Sequence, residues 1–190
     1  MRKVFFFILT VAALLLMVPA QNAQAQSETP KVEVGVHYTR LRLRDFDATD
    51  NGVGVRLSLN ATDSFAVEGE VNFFPRGRDN LATPTGFSGV SQRTQGLFGV
   101  KYGMRSERAG IFGKIRPGFM HFGENSLEFP FTPPIPTTTE FALDFGGVFE
   151  LYPTRRVAFR FDLGDTIIRF GGLGFTSHNL QITTGVALRF

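Results

Sequence analysis

From residue 32 onward, apolar residues fall on every second position in eight stretches of the chain. The first holds Val32, Val34, Val36 and Tyr38; the second Val53, Val55, Leu57 and Leu59; the third Phe65, Val67, Val71 and Phe73. The fourth holds Phe98, Val100 and Tyr102; the fifth Ile111, Ile115 and Phe119; the sixth Phe141, Leu143, Phe145, Phe149 and Leu151. The seventh holds Val157, Phe159, Phe161 and Leu163, and the eighth Leu180, Ile182, Val186, Leu188 and Phe190. Gly69, Gly113, Pro117, Gly147 and Thr184 keep the phase. A period of two, in segments rich in Val, Ile and Phe, predicts β-strands with one apolar face.

The opposite phase is charged. It carries Glu33, Arg56, Glu68, Glu70, Lys101, Lys114, Arg116, Asp144, Glu150, Arg160, Asp162 and Arg189, six acids and six bases. The apolar phase carries no charge at all. An unpaired charge in a narrow interior is heavily penalised, whereas opposite charges neutralise and hydrogen-bond one another. The balanced set therefore predicts a salt-bridge network filling the lumen of a closed barrel, with the apolar face outward. The inverted arrangement, apolar inside and charged outside, belongs to soluble ligand carriers such as lipocalins. Those usually carry an early Gly-x-Trp, which a chain without tryptophan cannot have.

Where the alternation breaks, the connections run Leu43–Asn51, Asn60–Ser64, Pro75–Ser91, Gly103–Gly110, Gly123–Glu140, Tyr152–Arg156 and Gly171–Asn179. Their lengths are 9, 5, 17, 8, 18, 5 and 9, long and short in turn. Outer-membrane barrels have short periplasmic turns and long extracellular loops. With an even strand count, both chain ends are then expected on the periplasmic side.

The N-terminus reads as an export signal. Met1-Arg2-Lys3 is positive, and an uncharged run of 15 residues follows from Val4 to Val18. After Pro19 comes Ala23-Gln24-Ala25, which suits cleavage between Ala25 and Gln26. A membrane anchor would want roughly 20 apolar residues, and this run stops short. The expected organisation is a leader at 1–25 and one barrel domain at 26–190.

Composition removes other classes. The 190-residue chain has no Cys, so disulfides, thiolate metal sites and thiol nucleophiles are excluded. Its 20 Lys+Arg exceed 17 Asp+Glu, but Arg2 and Lys3 lie in the leader, which leaves no basic excess for nucleic acid. Neither a metal nor a cofactor is implied.

These features converge on a family. The chain resembles the small outer-membrane β-barrel proteins of the OmpA-transmembrane, OmpX and opacity-porin type. The last strand, Asn179-Leu-Gln-Ile-Thr-Thr-Gly-Val-Ala-Leu-Arg-Phe190, carries the resemblance most sharply; the Gly-Val-His-Tyr of strand one and Glu68-Gly-Glu-Val-Asn-Phe-Phe74 add to it. The resemblance covers 26–190 and implies an eight-stranded antiparallel up-and-down transmembrane barrel in a Gram-negative outer membrane. It implies that Leu180, Ile182, Val186, Leu188 and Phe190 form the signal read by the barrel-assembly machinery, with periplasmic chaperones as escorts. The chain ends at the barrel, so the peptidoglycan-binding domain of full OmpA, and attachment to the cell wall, are not implied. The absence of Trp departs from the family, leaving interfacial girdles to Phe and Tyr.

Candidate chemistry is sparse. His37 falls in the lumen phase, and His121 and His178 lie near the long-loop ends of strands five and eight. Some eight-stranded barrels are lipid A deacylases or acyltransferases, and Ser177-His178 invites comparison. The deacylase His-x-Ser-Asn run is missing, however, because Asn-Leu follows His178. Arg40, Arg42 and Arg44, joined by Arg76 and Arg78 in the second long loop, suit lipopolysaccharide phosphate. The alternative is a solvated loop in which Asp45, Asp47 and Asp50 answer the arginines. The segment Glu128–Thr139 is Pro-rich, carries a single charge and reads as a semi-rigid extracellular excursion. The function expected is structural or surface interaction, without catalysis. Eight strands enclose only side chains, so a diffusion pore is not expected. A lipid A-modifying enzyme and a small ion-conducting or adhesive barrel are the alternatives.

Overall fold

The computed structural model of this protein describes residues 30–45, 48–80, 88–123, 137–172 and 174–190, with 48, 76–80 and 88–91 described as backbone only. The leader with its Ala25–Gln26 site, Asp47 and most of the Pro-rich segment lie outside the described residues.

Eight strands follow in chain order: β1 Val32–Leu43, β2 Ala48–Asn60, β3 Phe65–Asn80, β4 Ser88–Arg105, β5 Ala109–Phe122, β6 Thr138–Thr154, β7 Val157–Phe170 and β8 Phe175–Arg189. Each pairs antiparallel with the next, and β1 pairs with β8 to close the barrel. Closure is completed by Val32 donating to the Phe190 carbonyl and Phe190 donating back to Val32. Closing the sheet leaves no edge whose backbone groups would meet lipid unpaired.

The register fixes the shape. Partners followed once round, Val32, Leu59, Val67, Val100, Ile115, Phe145, Asp165, Leu180 and Arg42, return to β1 ten residues further along. A stagger of this size over eight strands tilts them by about 40° from the axis, and a barrel this narrow is filled by its own side chains.

Several strands run further than the apolar alternation. The connections are 44–47, 61–64, 81–87, 106–108, 123–137, 155–156 and 171–174. The expected 9-residue first connection is thus 44–47, and the expected 17-residue third is 81–87. Backbone pairing does not need an apolar outer face, so ladders continue where the alternation has ended. Arg76 and Arg78 accordingly lie in β3, in a ladder that resumes after an irregularity between Phe74 and Gly77, and not in a loop. The asymmetry survives in a milder form. The turns 61–64, 106–108 and 155–156 share one end of the barrel with Pro30 and Phe190, and the opposite end carries the two longest connections, 81–87 and 123–137, together with 44–47 and 171–174. At that end the β7–β8 turn uses Gly174 at φ 71°, a left-handed conformation that glycine adopts without steric cost.

Candidate functional site

The wall of the barrel separates two chemistries. Tyr38, Val55, Leu57, Phe98, Tyr102, Ile111, Phe119, Phe145 and Phe161 stand on the outer surface, and Tyr102 is 69% exposed. Leu180, Ile182, Val186, Leu188 and Phe190, the residues expected to form the assembly signal, alternate on the same surface of β8 and beyond its end. A continuous apolar belt of this size suits lipid and not water.

The lumen is ionic. Glu33, Arg56, Glu68, Glu70, Lys101, Lys114, Arg116, Asp144, Glu150, Arg160, Asp162 and Arg189 are all buried inside. Arg116 crosses it, donating from Nη1 to Glu70 at 2.6 Å and from Nε and Nη2 to Asp144 at 2.9 and 2.7 Å. Lys114 lies 2.9 Å from Asp144 and 3.4 Å from Asp162. Arg56 bridges Glu70 and Asp162 at 2.6 and 3.2 Å. Arg160 donates to both oxygens of Glu68 and, through Nε, to Asp162 at 2.7 Å. Lys101 pairs with Glu150 and lies 3.4 Å from Glu68, while Arg189 Nε donates to Glu33 at 3.2 Å. Each of these acids thus meets at least one base, which offsets the cost of desolvating both.

Two charged parts of the lumen escape the reading of the alternation, and His37 lies inside as its phase predicts. Arg105 joins the network through Glu33 at 3.4 Å and Glu150 at 3.6 Å, with its guanidinium over the rings of Phe112 and Tyr152. It lies in phase with Lys101, but the alternation had been closed at Tyr102. Arg93 and Asp50 form another buried pair; Asp50 falls in the expected connection 43–51, and Arg93 lies ahead of the apolar stretch that begins at Phe98. The interior network is therefore not confined to six acids and six bases. His37 donates from Nε2 to Asn72 Oδ1 at 2.6 Å, and Asn72 donates in turn to Glu70 and Gln95. A cavity of about 10 Å³ beside His37, bounded by Glu33, Arg56, Ser58 and Arg160, has room for about one water.

The other departure is larger. At the end of the longer connections an apolar cluster surrounds the buried Arg93–Asp50 pair, formed by Leu41, Leu43, Phe74, Leu97, Met120, Ala142, Ile168 and Phe170, with Phe122 and Phe175 packed against them. The Phe170 and Phe175 rings stack at 4.9 Å. A uniformly charged lumen is thus corrected to a charged zone capped by a mainly apolar one that encloses a single ion pair, Arg93 with Asp50, among the described residues. The same strands change sign outside: Arg40 and Arg42 are exposed on β1 above Tyr38, with Arg44 exposed in the turn beyond, and Arg169 is exposed on β7 above Leu163. Beyond the apolar belt the barrel has the polarity of a water-soluble one.

The candidate catalytic pair does not assemble. Ser177 faces the lumen, fully buried, and donates to Asn179 Oδ1 at 3.0 Å. His178 stands on the outer surface with Nδ1 2.6 Å from Asp165 Oδ2. The barrel wall lies between hydroxyl and imidazole, so the ring cannot act as base for that hydroxyl. His121 is also outward and bonds Thr139 at 2.8 Å. Among the described residues, no group of three or more potential ligands could hold a metal ion.

Comparison with known proteins agrees with this geometry. No curated protein sequence matches the chain. Among solved structures, neisserial surface protein A superposes with a TM-score of 0.55 at 11% identity, covering 84% of this chain and 96% of that one. OprG of Pseudomonas aeruginosa gives 0.55 at 10% identity over 88% and 96%. Ail of Yersinia pestis, the attachment invasion locus protein, in complex with the heparin analogue sucrose octasulfate, gives 0.53 at 14% over 84% and 96%. At these identities the likeness establishes the fold alone. The model of the outer membrane protein β-barrel domain matches residues 10–190, nearly the whole chain. The chain is a member of the outer membrane protein β-barrel family.

Proposed function

We propose that this protein is a structural or surface-interaction component of the bacterial outer membrane, exported by cleavage between Ala25 and Gln26 and inserted with both ends in the periplasm. One observation carries the role. The outer surface is an apolar belt, while the ionised side chains are consumed by one another inside. Such a lumen offers neither a diffusion path nor an exposed catalytic group. The short turns at the end shared by Pro30 and Phe190 support the periplasmic placement of that end. The alternating end of β8 supports recognition by the barrel-assembly machinery after chaperone escort.

A partner is supported at the opposite end. Arg40, Arg42 and Arg44 project outward directly above the apolar belt, at the level where lipid headgroups begin. Guanidinium groups pair with phosphate in bidentate geometry, and lipopolysaccharide presents phosphate there. The side chains of Arg76 and Arg78 lie outside the described residues. That Ail, a protein of this fold, was solved in complex with the heparin analogue sucrose octasulfate supports contact with a polyanion.

The test is fractionation followed by gel electrophoresis with and without heating. A protein in the outer membrane whose folded form migrates differently from the boiled form supports the reading. Recovery in the soluble periplasm overturns it.

A further inference from the structure

Asp165 interrupts the outer face of β7. Phe159, Phe161 and Leu163 face outward below it and Ile167 above it. A carboxylate here is out of keeping with hydrocarbon, where an isolated ion is costly. It has a partner: Oδ2 lies 2.6 Å from Nδ1 of His178 on β8, and the histidine side chain is 57% exposed. The register places both beside the β1 arginines. Leu180 is the partner of both Asp165 and Arg42, and Ile182 is the partner of Arg40. Arg44 is tied to β8 by its backbone nitrogen, which donates to Asn179 Oδ1 at 3.3 Å. The histidine, the aspartate and the arginines thus occupy one outer patch across β7, β8 and β1.

The hydrogen bond settles which nitrogen carries the proton. A carboxylate accepts, so Nδ1 bears the hydrogen and Nε2 is turned away from Asp165. In the neutral ring Nε2 is a lone pair that repels a phosphate oxygen. With a second proton it becomes a charged donor. Asp165 of β7 contacts His178; the charged groups that the register and turn place around it are Arg169 on β7, Arg42 on β1, and Arg44 and Asp45 in the turn after β1, while its outward neighbours on β8, Thr176 and Leu180, carry none. A phosphate oxygen beside Nε2 accepts from the doubly protonated ring and is repelled by the lone pair of the neutral one.

We propose that His178, held by Asp165, makes this patch a proton-linked site for phosphate on outer-leaflet lipid headgroups, one that binds more tightly as pH falls. The proposal rests on the reading of Arg40, Arg42 and Arg44 as phosphate contacts and names the residue that regulates them. Binding and protonation are linked reciprocally, so a ligand that favours the imidazolium is itself favoured by acid.

The test uses the full folded protein in detergent, with lipid A bearing both phosphates, dephosphorylated lipid A and inorganic phosphate as probes. Retained lipid is read by native mass spectrometry at about pH 7.5 and about pH 5.5, either side of the ordinary histidine range. The expected result is an affinity for phosphorylated lipid A about fivefold higher at the lower pH, the size of one added charge pair at an exposed site. Phosphate's own second ionisation, near about pH 6, works in the opposite direction and cannot produce that rise. His178→Gln should keep the affinity at high pH and lose the rise, whereas His178→Lys should show the high affinity at both. A pH-independent wild type, or a rise retained in His178→Gln, would overturn the proposal. Equal retention of dephosphorylated lipid A would also overturn it, as would displacement by inorganic phosphate at equal concentration. If Arg42→Gln with Arg44→Gln leaves binding intact at both pH values, the arginine reading itself fails.

Discussion

Leu41 is wholly buried in the lumen, and Arg42, the next residue of β1, stands exposed on the outer surface. Earlier in the same strand the relationship is reversed: Glu33 is buried, and Val34 faces out. The strand has not rotated, since its ladder to β2 is continuous from Val32 to Leu43. What changes is the medium outside. Facing lipid, the wall carries apolar residues outward and satisfies its charges internally; facing water, it does the opposite. The crossover between Tyr38 and Arg40 therefore marks the outer edge of the apolar belt on this side of the barrel.

Arginine substitution should map that edge. At Phe145, in the belt, Phe145→Arg should cost about 2–4 kcal/mol of folding stability in lipid. Arg40→Leu, at the edge, should change stability by about 0.5 kcal/mol or less. Urea titrations of the barrel in vesicles measure both. Equal costs at the two sites would mean the belt does not end there.

Within the lumen, Arg116 and Asp144 should be strongly coupled, because two nitrogens of Arg116 donate to one oxygen of Asp144. Arg116→Met alone should cost about 3–5 kcal/mol, since Glu70 and Asp144 are left short of positive charge. Adding Asp144→Asn should recover part of that loss, with a coupling of about 0.5–3 kcal/mol in a double-mutant cycle. Losses that simply add would show that the two side chains do not interact.

Much of this was legible in the sequence, for a physical reason. Period-two alternation survives wherever a strand has two unlike neighbours, so Glu68, Arg116, Asp144 and Phe145 could each be placed on a face without coordinates. Legibility failed where the contrast faded. Arg105 sits three positions beyond Tyr102, the last residue of the apolar alternation there, although it continues the inward phase of Lys101. Asp50 likewise continues the phase of Arg56 through Gly52 and Gly54. The apolar cap could not be seen by a criterion that treats apolar as outward, because Leu41, Leu43, Met120 and Ile168 are apolar and inward. Which strands meet is read from order, but which acid meets which base depends on stagger and side-chain reach. The contact between His178 and Asp165 crosses two strands and left no local trace.

Two glycines should respond differently to a methyl group. A Cβ on Gly99 would fall 2.1 Å from the Ile115 carbonyl oxygen and 2.6 Å from Arg116 Cα, both backbone atoms. A Cβ on Gly147 would meet nothing within 4 Å. Gly99→Ala should therefore lose about 1–3 kcal/mol through overpacking, while Gly147→Ala should match the native barrel in the same urea titration.

Assembly should depend on the end of β8. Replacing Phe190 by Asp is expected to leave export and leader removal intact and to stop insertion, so that pulse-labelled protein is processed and then degraded in the periplasm. Normal amounts of Phe190→Asp protein in the outer membrane would contradict the role assigned to that residue.

The central claim, lipid outside and charges inside, is tested most directly by single-cysteine labelling, for which the cysteine-free chain is already suited. Cysteines at 145 and 161 report the outer face, and cysteines at 144 and 160 report the lumen. In the assembled barrel, 145 and 161 should react with a lipid-soluble thiol reagent and resist a charged aqueous one, while 144 and 160 should not label from the lipid. Labelling of 144 and 160 from the lipid, with 145 and 161 protected, would mean that the apolar face points inward and that the barrel is a soluble carrier.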